Sequence, residues 1–285
     1  MHLKSLVKQV AAFVAVKTRL YQLFLRGKAI VVVFHRIRQD AQGDPIGCHE
    51  SEFVRFCEFF ARYFRVVSVQ DLLNRMKRGD RLDCHLAITF DDGYLDNFEV
   101  AAPVLRDRGL PACFFVATGF IGTDRVPGWD LDSGNVVSWM NWDQVRVLHR
   151  KGFEIGAHTV NHVNLGDAET SRIHGASPLP PAWRVEVDRQ QALREISESR
   201  TQLAQALGSR VALFCYPFGR RENMAEYNRA AVRDAGFECC MSAFGGLVSS
   251  DTDPYDLPRV PVGQWHESPL DFLFDIMRMG VEKTT

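Results

Sequence analysis

Two adjacent carboxylates, Asp91 and Asp92, close an apolar run in the stretch Thr89-Phe90-Asp91-Asp92-Gly93. Two imidazoles stand four residues apart after another apolar run, in His158-Thr159-Val160-Asn161-His162. Neighbouring acids repel unless a proton or a cation relieves them. A metal on one of them leaves the other free as a base, whereas an Asp-Asp-Gly stretch taken alone also suits a solvated turn. Histidines at i and i+4 can face one point if the backbone turns helically between them; a lone histidine more often caps or packs. Together these residues form a set of one carboxylate and two imidazoles, three protein ligands with a fourth position for water. Nitrogen and oxygen donors without thiolate suit zinc, or a similar divalent ion such as cobalt or nickel. Such an ion lowers the pKa of water toward neutrality and polarises a carbonyl oxygen. The spare carboxylate, Asp91, then removes the water proton, so the implied chemistry is hydrolysis of an amide or ester.

Both pairs follow strand-like runs. Residues 29–34 (AIVVVF) are continuously apolar and β-branched, and comparable runs lie at 64–69, 85–90, 112–117, 153–158, 211–216, 237–242 and 257–262. Unbroken apolar character marks strands buried on both faces of a parallel sheet. Helical patterns separate them at 51–64, 69–79, 98–109, 142–152, 190–208 and 225–236, the first with Ser51 as its cap and most closing on Gly. The rhythm predicts βα units, and their number favours a barrel over an open sheet. No Gly-x-Gly-x-x-Gly opens the first helix, so a dinucleotide fold has little support. In a parallel barrel the strand C-terminal ends form the active rim, where both pairs fall. His35 closes the first strand at that rim, a cleft residue or a packed histidine. Residues 166–184 are polar and proline-rich and read as a long surface loop. Trp129, Trp139, Trp142 and Trp265 could stack sugars, although core or interface tryptophan is the commoner case.

With 285 residues, 46% of them hydrophobic, the chain can bury a core without staples and suits one large α/β domain. A formal net charge of −1 gives no bias toward nucleic acid. Charge is uneven, however: residues 1–39 hold eight Lys and Arg and no acid. Residues 3–25 read as an amphipathic helix, with Leu3, Leu6, Val7, Val10, Phe13, Val14, Tyr21 and Phe24 at three- and four-residue steps. Packing on the domain is the usual use of such a stripe. The intervening bases also suit peripheral contact of residues 1–28 with anionic lipid at the inner membrane. The start could serve as a signal peptide, but its apolar run VAAFVAV is short and Lys17 and Arg19 follow at once. No run of about 20 apolar residues predicts a transmembrane helix. Seven cysteines without a CxxC pair read as buried free thiols, which favours a reducing, cytoplasmic setting over a secreted or periplasmic one.

The Thr89–Gly93 and His158–His162 motifs, with their flanks, resemble the polysaccharide deacetylase family, which includes chitooligosaccharide and peptidoglycan deacetylases. The resemblance spans about residues 29–265 and takes in residues 109–116 and 140–162. Phe34-His35-Arg36-Ile37, Tyr216-Pro217-Phe218-Gly219 and Leu257-Pro258-Arg259-Val260 look most like the branch acting on exopolysaccharides such as poly-N-acetylglucosamine. It implies a distorted (β/α)7 barrel over 29–285, preceded by the helical segment 1–28. The implied activity is metal-dependent removal of N-acetyl groups from amino sugars of a polysaccharide or lipid-linked glycan. Asp91 becomes the base, and Asp92, His158 and His162 the metal ligands. The backbone N–H of Phe218 falls where the family holds the oxyanion.

Three features depart from that pattern. Cys215 stands where many members have the arginine that orients the base. Arg259 stands where a histidine would protonate the leaving amine, and an arginine is a poor proton donor. No Asp-Trp partner for that histidine is evident. Arg259 could pair with Asp91 instead, leaving His35, His266 or protonated Asp91 as candidate acids. A deformylase or amidase of the same chemistry, or a carbohydrate-binding pseudoenzyme, are the alternative readings.

Overall fold

The computed structural model describes residues 3–39, 44, 46–133, 137–175 and 177–281. The strands are β1 (Ala29–Phe34), β2 (Arg36–Arg38), β3 (Gly47–His49), β4 (Arg65–Val66), β5 (His85–Phe90), β6 (Cys113–Val116), β7 (Glu154–Ala157), β8 (Val163–Asn164), β9 (Val185–Glu186) and β10 (Val260–Pro261). The α-helices are α1 (Leu3–Lys17), α2 (Tyr21–Phe24), α3 (Glu50–Tyr63), α4 (Val69–Lys77), α5 (Ala102–Asp107), α6 (Gly128–Ser133), α7 (Trp142–Arg150), α8 (Ala168–His174), α9 (Arg189–Leu207), α10 (Glu226–Asp234) and α11 (Pro269–Val281).

A parallel sheet runs β10-β1-β5-β6-β7. Its best-formed pair is β1 with β5, in register from Ala29 opposite His85 to Phe34 opposite Phe90. Beyond β7 the ladder continues through single parallel bridges, Ala157 with Phe214, Cys215 with Met241, and Met241 with Leu257. Val32 opposite Val260 then returns it to β1. Four strands (β1, β5, β6, β7) and the segments around Phe214, Met241 and Leu257–Pro261 thus form a ring of seven, a distorted (β/α)7 barrel. The irregular side is rich in proline: Pro217, Pro258 and Pro261 cannot donate to a ladder, so pairing there shrinks to bridges.

Residues alternate between two cores along the strands. Val31, Ala87, Phe115, Leu213 and Met241 belong to one buried cluster drawn from all round the ring, its interior. Ile30, Val32, Phe34, Leu86, Ile88 and Phe90 face the other cluster, under Phe53, Phe56 and Phe60 of α3. Phe34, Phe90 and Phe114 stack across β1, β5 and β6 at ring separations of 5.6 and 4.9 Å. Each such side chain contributes about 1.5–3 kcal/mol on burial.

Several expectations change. The run at 64–69 supplies only the two-residue β4, which pairs with the start of β5 and is not a wall strand. The helix after it, α4, packs Val69, Leu72, Leu73 and Met76 into the interior cluster and so plugs the barrel end opposite the rim. His49, not Ser51, caps α3, accepting from the Ser51 N–H. The 98–109 helix opens with a π-helical turn, Asn97–Ala101, because Pro103 lacks the N–H that the Glu99 carbonyl would accept. Residues 166–184 carry α8, capped by Asp167, and a 3-10 turn at Pro181–Trp183. The N-terminal helix breaks in two at Arg19, whose φ is 60°. All seven cysteines are free and buried.

Close packing makes one glycine decisive. A Cβ on Gly156 in β7 would lie 2.4 Å from the Phe115 ring and 3.1 Å from the Leu213 carbonyl oxygen. Gly156→Ala is expected to destabilise the barrel by about 1–3 kcal/mol through overpacking. Denaturant unfolding checks this, and an unchanged midpoint would show that β6 and β7 yield freely.

Candidate active site

The C-terminal end of β5 delivers Thr89, Asp91 and Asp92 into the barrel mouth, with both carboxylates 3% exposed. Asp91 continues the sheet, its N–H donating to the Phe34 carbonyl at 3.0 Å. Asp92 turns sharply at φ 76° and Gly93 follows at φ 92°, so the chain leaves the rim just after presenting two acids.

The acids meet different environments. Arg259, fully buried, grips Asp91 bidentately, Nη1 on Oδ1 at 2.7 Å and Nη2 on Oδ2 at 2.6 Å. The same guanidinium donates to Thr89 Oγ1 at 3.0 Å and lies 5.4 Å from the Phe115 ring centre. Burial would raise the Asp91 carboxyl, but Arg259, with smaller help from His158 and His35, outweighs it and holds the group below the usual carboxylate range. Cys215 Sγ sits beside the pair, 3.7 Å from Asp91 Oδ2. Where the family resemblance leads one to expect an arginine at position 215, the guanidinium that contacts Asp91 here comes instead from Arg259, on the flank of β10.

Asp92 faces the two histidines. Its Oδ1 lies 3.4 Å from His158 Nε2 and 3.3 Å from His162 Nε2, and it accepts no hydrogen bond among the described residues. A buried carboxylate oxygen without a donor, opposed by two imidazole nitrogens, fits a divalent cation. One ligand atom from each of the three residues falls within 4.8 Å of the others. His158 Nδ1 is 2.8 Å from the Cys215 carbonyl oxygen, which can only accept, so Nδ1 carries the proton and Nε2 keeps its lone pair for a metal.

The histidines do not converge through a helical turn. Thr159 and His162 take left-handed φ values of 62° and 54°. Glu195 of α9 holds this loop: Oε2 accepts from the Val160 and Asn161 N–H groups at 2.9 and 2.8 Å, and Oε1 from Asn161 Nδ2 at 2.7 Å. Sequence reading missed Glu195. Its signal was an acid inside the stripe Ala192, Ile196, Ser199, Leu203, which all face the core.

A cleft of about 300 Å³ opens over these groups, lined also by His35, Phe218, Trp129, Trp183 and Trp265. His35 projects there from the end of β1; burial pushes its imidazole below the usual value against the opposing pull of Asp92 and Asp91. Asn97, in the π-helical turn, donates to the His35 carbonyl at 2.7 Å. Phe218 has φ 64° and sets its ring 4.7 Å from that of His162. Its N–H makes no hydrogen bond among the described residues. His266 turns away into a separate cavity with Cys48 and His49, and burial lowers it to about 4. Trp129 covers His162 at 4.5 Å. Trp139 instead stacks on Tyr94 inside the fold, and Trp142 starts α7 outside the cleft. Trp183, not singled out from sequence, forms the facing wall.

Trp129 rides on α6, which is anchored by a buried network. Arg36, next to His35, pairs with both Asp44 and Asp130. Tyr94 Oη donates to Asp130 at 3.0 Å and accepts from Trp129 Nε1 at 3.0 Å. Trp183 Nε1 reaches Asp132 Oδ2, and the Ala182 carbonyl packs where a Cβ on Gly128 would stand. The two tryptophan-bearing segments thus form one cap.

Losing the Glu195 carboxylate should loosen the His158–His162 loop without removing any of the three candidate ligands. Glu195→Ala is expected to weaken divalent-metal affinity about 10–100-fold, with Glu195→Gln milder because one acceptor remains. Metal titration against a competing chelator measures it, and an unchanged affinity in Glu195→Ala would show that the loop holds its own shape.

A family model for polysaccharide deacetylase matches residues 78–240. The Bacillus subtilis protein YxkH is 26% identical over 175 residues, which is 61% of this chain and 50% of that protein. The poly-beta-1,6-N-acetyl-D-glucosamine N-deacetylase of Staphylococcus aureus is 21% identical over 197 residues, 69% of this chain and 60% of that one. The match thus spans only half to three fifths of these relatives' length. Among solved structures, IcaB from Ammonifex degensii superposes with a TM-score of 0.68 at 21% identity, covering 89% of this chain and 97% of that one. The deacetylase PplD from Streptococcus pyogenes gives 0.65 at 18% identity, covering 86% and 96%. At these identities the structural likeness is one of fold.

Proposed function

The chain belongs to the polysaccharide deacetylase family, and we propose that it removes N-acetyl groups from amino-sugar units of a polysaccharide or lipid-linked glycan. One observation carries the reading. A single cleft holds a carboxylate locked in its ionised form by Arg259 and, beside it, an Asp92 oxygen without a donor facing two imidazole nitrogens.

Asp92, His158 and His162 would hold the cation, and their mixed oxygen and nitrogen donors suit zinc, with cobalt or nickel as substitutes. When bound, the ion supplies Lewis acidity toward water and the amide carbonyl. Asp91 accepts the proton of the attacking water, and Arg259 aims it and keeps it charged. The Phe218 N–H donates to the oxyanion. Arg259 is excluded as the acid, because both of its terminal nitrogens are committed to Asp91, and against the lowering effect of burial the Asp91 carboxylate raises its pKa further. Among the described residues lining the cleft His35 is the remaining imidazole, and we assign it the proton for the leaving amine. Trp129, Trp183 and Trp265 give flat apolar walls for sugar rings. Seven buried free thiols support a reducing compartment.

Asp91→Asn should keep the metal and slow acetate release from N-acetylglucosamine oligomers about 10²–10⁴-fold, because a base needs its proton affinity. Asp92→Asn should lose metal instead, because a ligand needs its charge. Elemental analysis and an acetate assay separate the two, and near-wild-type release by Asp91→Asn would sink the assignment. No release by the metal-loaded wild type from any such oligomer would favour a binding role without turnover.

An amide nitrogen must be protonated to leave, whereas an alkoxide departs with less help. His35→Gln should therefore slow amide hydrolysis more than hydrolysis of an O-acetyl ester. Because burial lowers His35, the wild-type amide profile should fall with rising pH from below the usual imidazole value, a limb absent with the ester. Equal losses on both substrates would point to the proton returned by Asp91.

A further inference from the structure

Helix α1 is apolar on two opposite faces. Ala12, Ala15 and Val16 are buried against the domain, and Lys8 pairs with Asp275 of α11 at 2.9 Å on that side. The other face carries Leu6, Val7, Val10, Phe13 and Val14, all 40–60% exposed. At about 100° per residue these five fall within one stripe, pointing away from the buried one. Leu20 and Leu23 extend the exposed apolar surface past the break at Arg19. A surface helix that needs only its core contact carries polar residues on its outer face, and a contiguous exposed apolar stripe marks an interaction surface.

The charge around the stripe selects the partner. Residues 1–39 contain no acid, and Lys17, Arg19 and Arg26 are exposed. Lys17 Nζ lies 5.3 Å from the Phe13 ring centre, within the stripe itself. A groove of about 480 Å³ joins this face to α3 and the start of α11, where Phe59 and Leu270 add apolar walls and Arg62 adds a cation, Arg55 being paired with Glu52. Its acid, Glu58, is already paired with Arg108. An apolar row set among cations matches the acyl–headgroup boundary of an anionic bilayer. The same cations would repel each other across a symmetric interface with a second copy. Among the described residues no helix is long and apolar enough to cross a bilayer, so the contact is one of lying on the surface.

We infer that the outward face of α1, with the groove it shares with α3, docks the barrel on an anionic lipid surface. This rests on α1 and the groove beside it and stands or falls separately from the deacetylase reading. The test is co-sedimentation of the full chain with phosphatidylcholine vesicles, with and without phosphatidylglycerol. Binding should require phosphatidylglycerol and weaken as salt rises. Lys17→Ala and Arg19→Ala should each lower it about fivefold. Val10→Ser and Phe13→Ser should lower it too, with thermal unfolding unchanged because both side chains point outward. Equal behaviour on the two vesicle types, or full binding by all four variants, overturns the inference. So does a wild-type dimer in sedimentation equilibrium that Phe13→Ser dissociates, which would assign the face to a second copy.

Discussion

Two carboxylates on consecutive residues, both buried, cannot share a low-dielectric rim as two bare charges. Arg259 is the answer for the first of them. Its bidentate grip removes the repulsion from one side, fixes the orientation of Asp91, and leaves Asp92 as the residue whose charge still needs a partner. The proposed division of labour between a base and a ligand therefore rests on where one guanidinium sits. Removing that guanidinium while keeping the acid would leave an uncompensated buried charge, a cost of about 3–5 kcal/mol.

The barrel is what lets Arg259 reach. It lies beside β10, and β1 separates β10 from β5, so the side chain crosses the ring interior to meet Thr89 and Asp91. An open sheet would expose that path to water. Here Phe115 and the cluster of Val31, Ala87, Leu213 and Met241 fill the space beneath, and α4 closes the far end. The weakly bridged side of the ring carries Cys215, Phe218 and Arg259, so its proline-interrupted segments supply the groups that touch Asp91 and the cleft.

A second buried charge organises the approach to the site. Arg36 neighbours His35 in sequence and ties α6 to the rim through Asp130 and Asp44. Trp129 is thereby pressed over His162 while Tyr94 satisfies its indole N–H. The histidine loop is held from the opposite side by Glu195. Both supports, Arg36 and Glu195, are buried ionic groups that hold neighbouring segments in place, which rigidifies a site more than it stabilises a fold.

How much of this was legible in sequence follows from range. Unbroken apolar runs announced strands buried on both faces, and closing glycines announced the helices between them, because both are local consequences of burial and backbone freedom. The motifs around Asp91 and His158 likewise carried their chemistry in residue types and strand-end position. The run at 64–69 misled because its apolar residues are spent at the edge of the barrel: Arg65 is exposed and Val66 half-buried, while Val69 already belongs to the plug helix α4. The shape of the His158–His162 turn depended on Glu195, 33 residues beyond His162, and no spacing rule connects them. His266 and His35 looked alike as candidate acids; only the fold turned one into a separate cavity and the other into the cleft. Trp183 and Arg36 acquired their roles through partners brought in by chain closure. By itself, then, the sequence determined the strand–helix alternation and the set of reactive groups, since these follow from local pattern and side-chain chemistry. The tertiary structure decided which carboxylate is neutralised, which histidine reaches the cleft and which tryptophans wall it, because each depends on contacts between residues far apart in the chain.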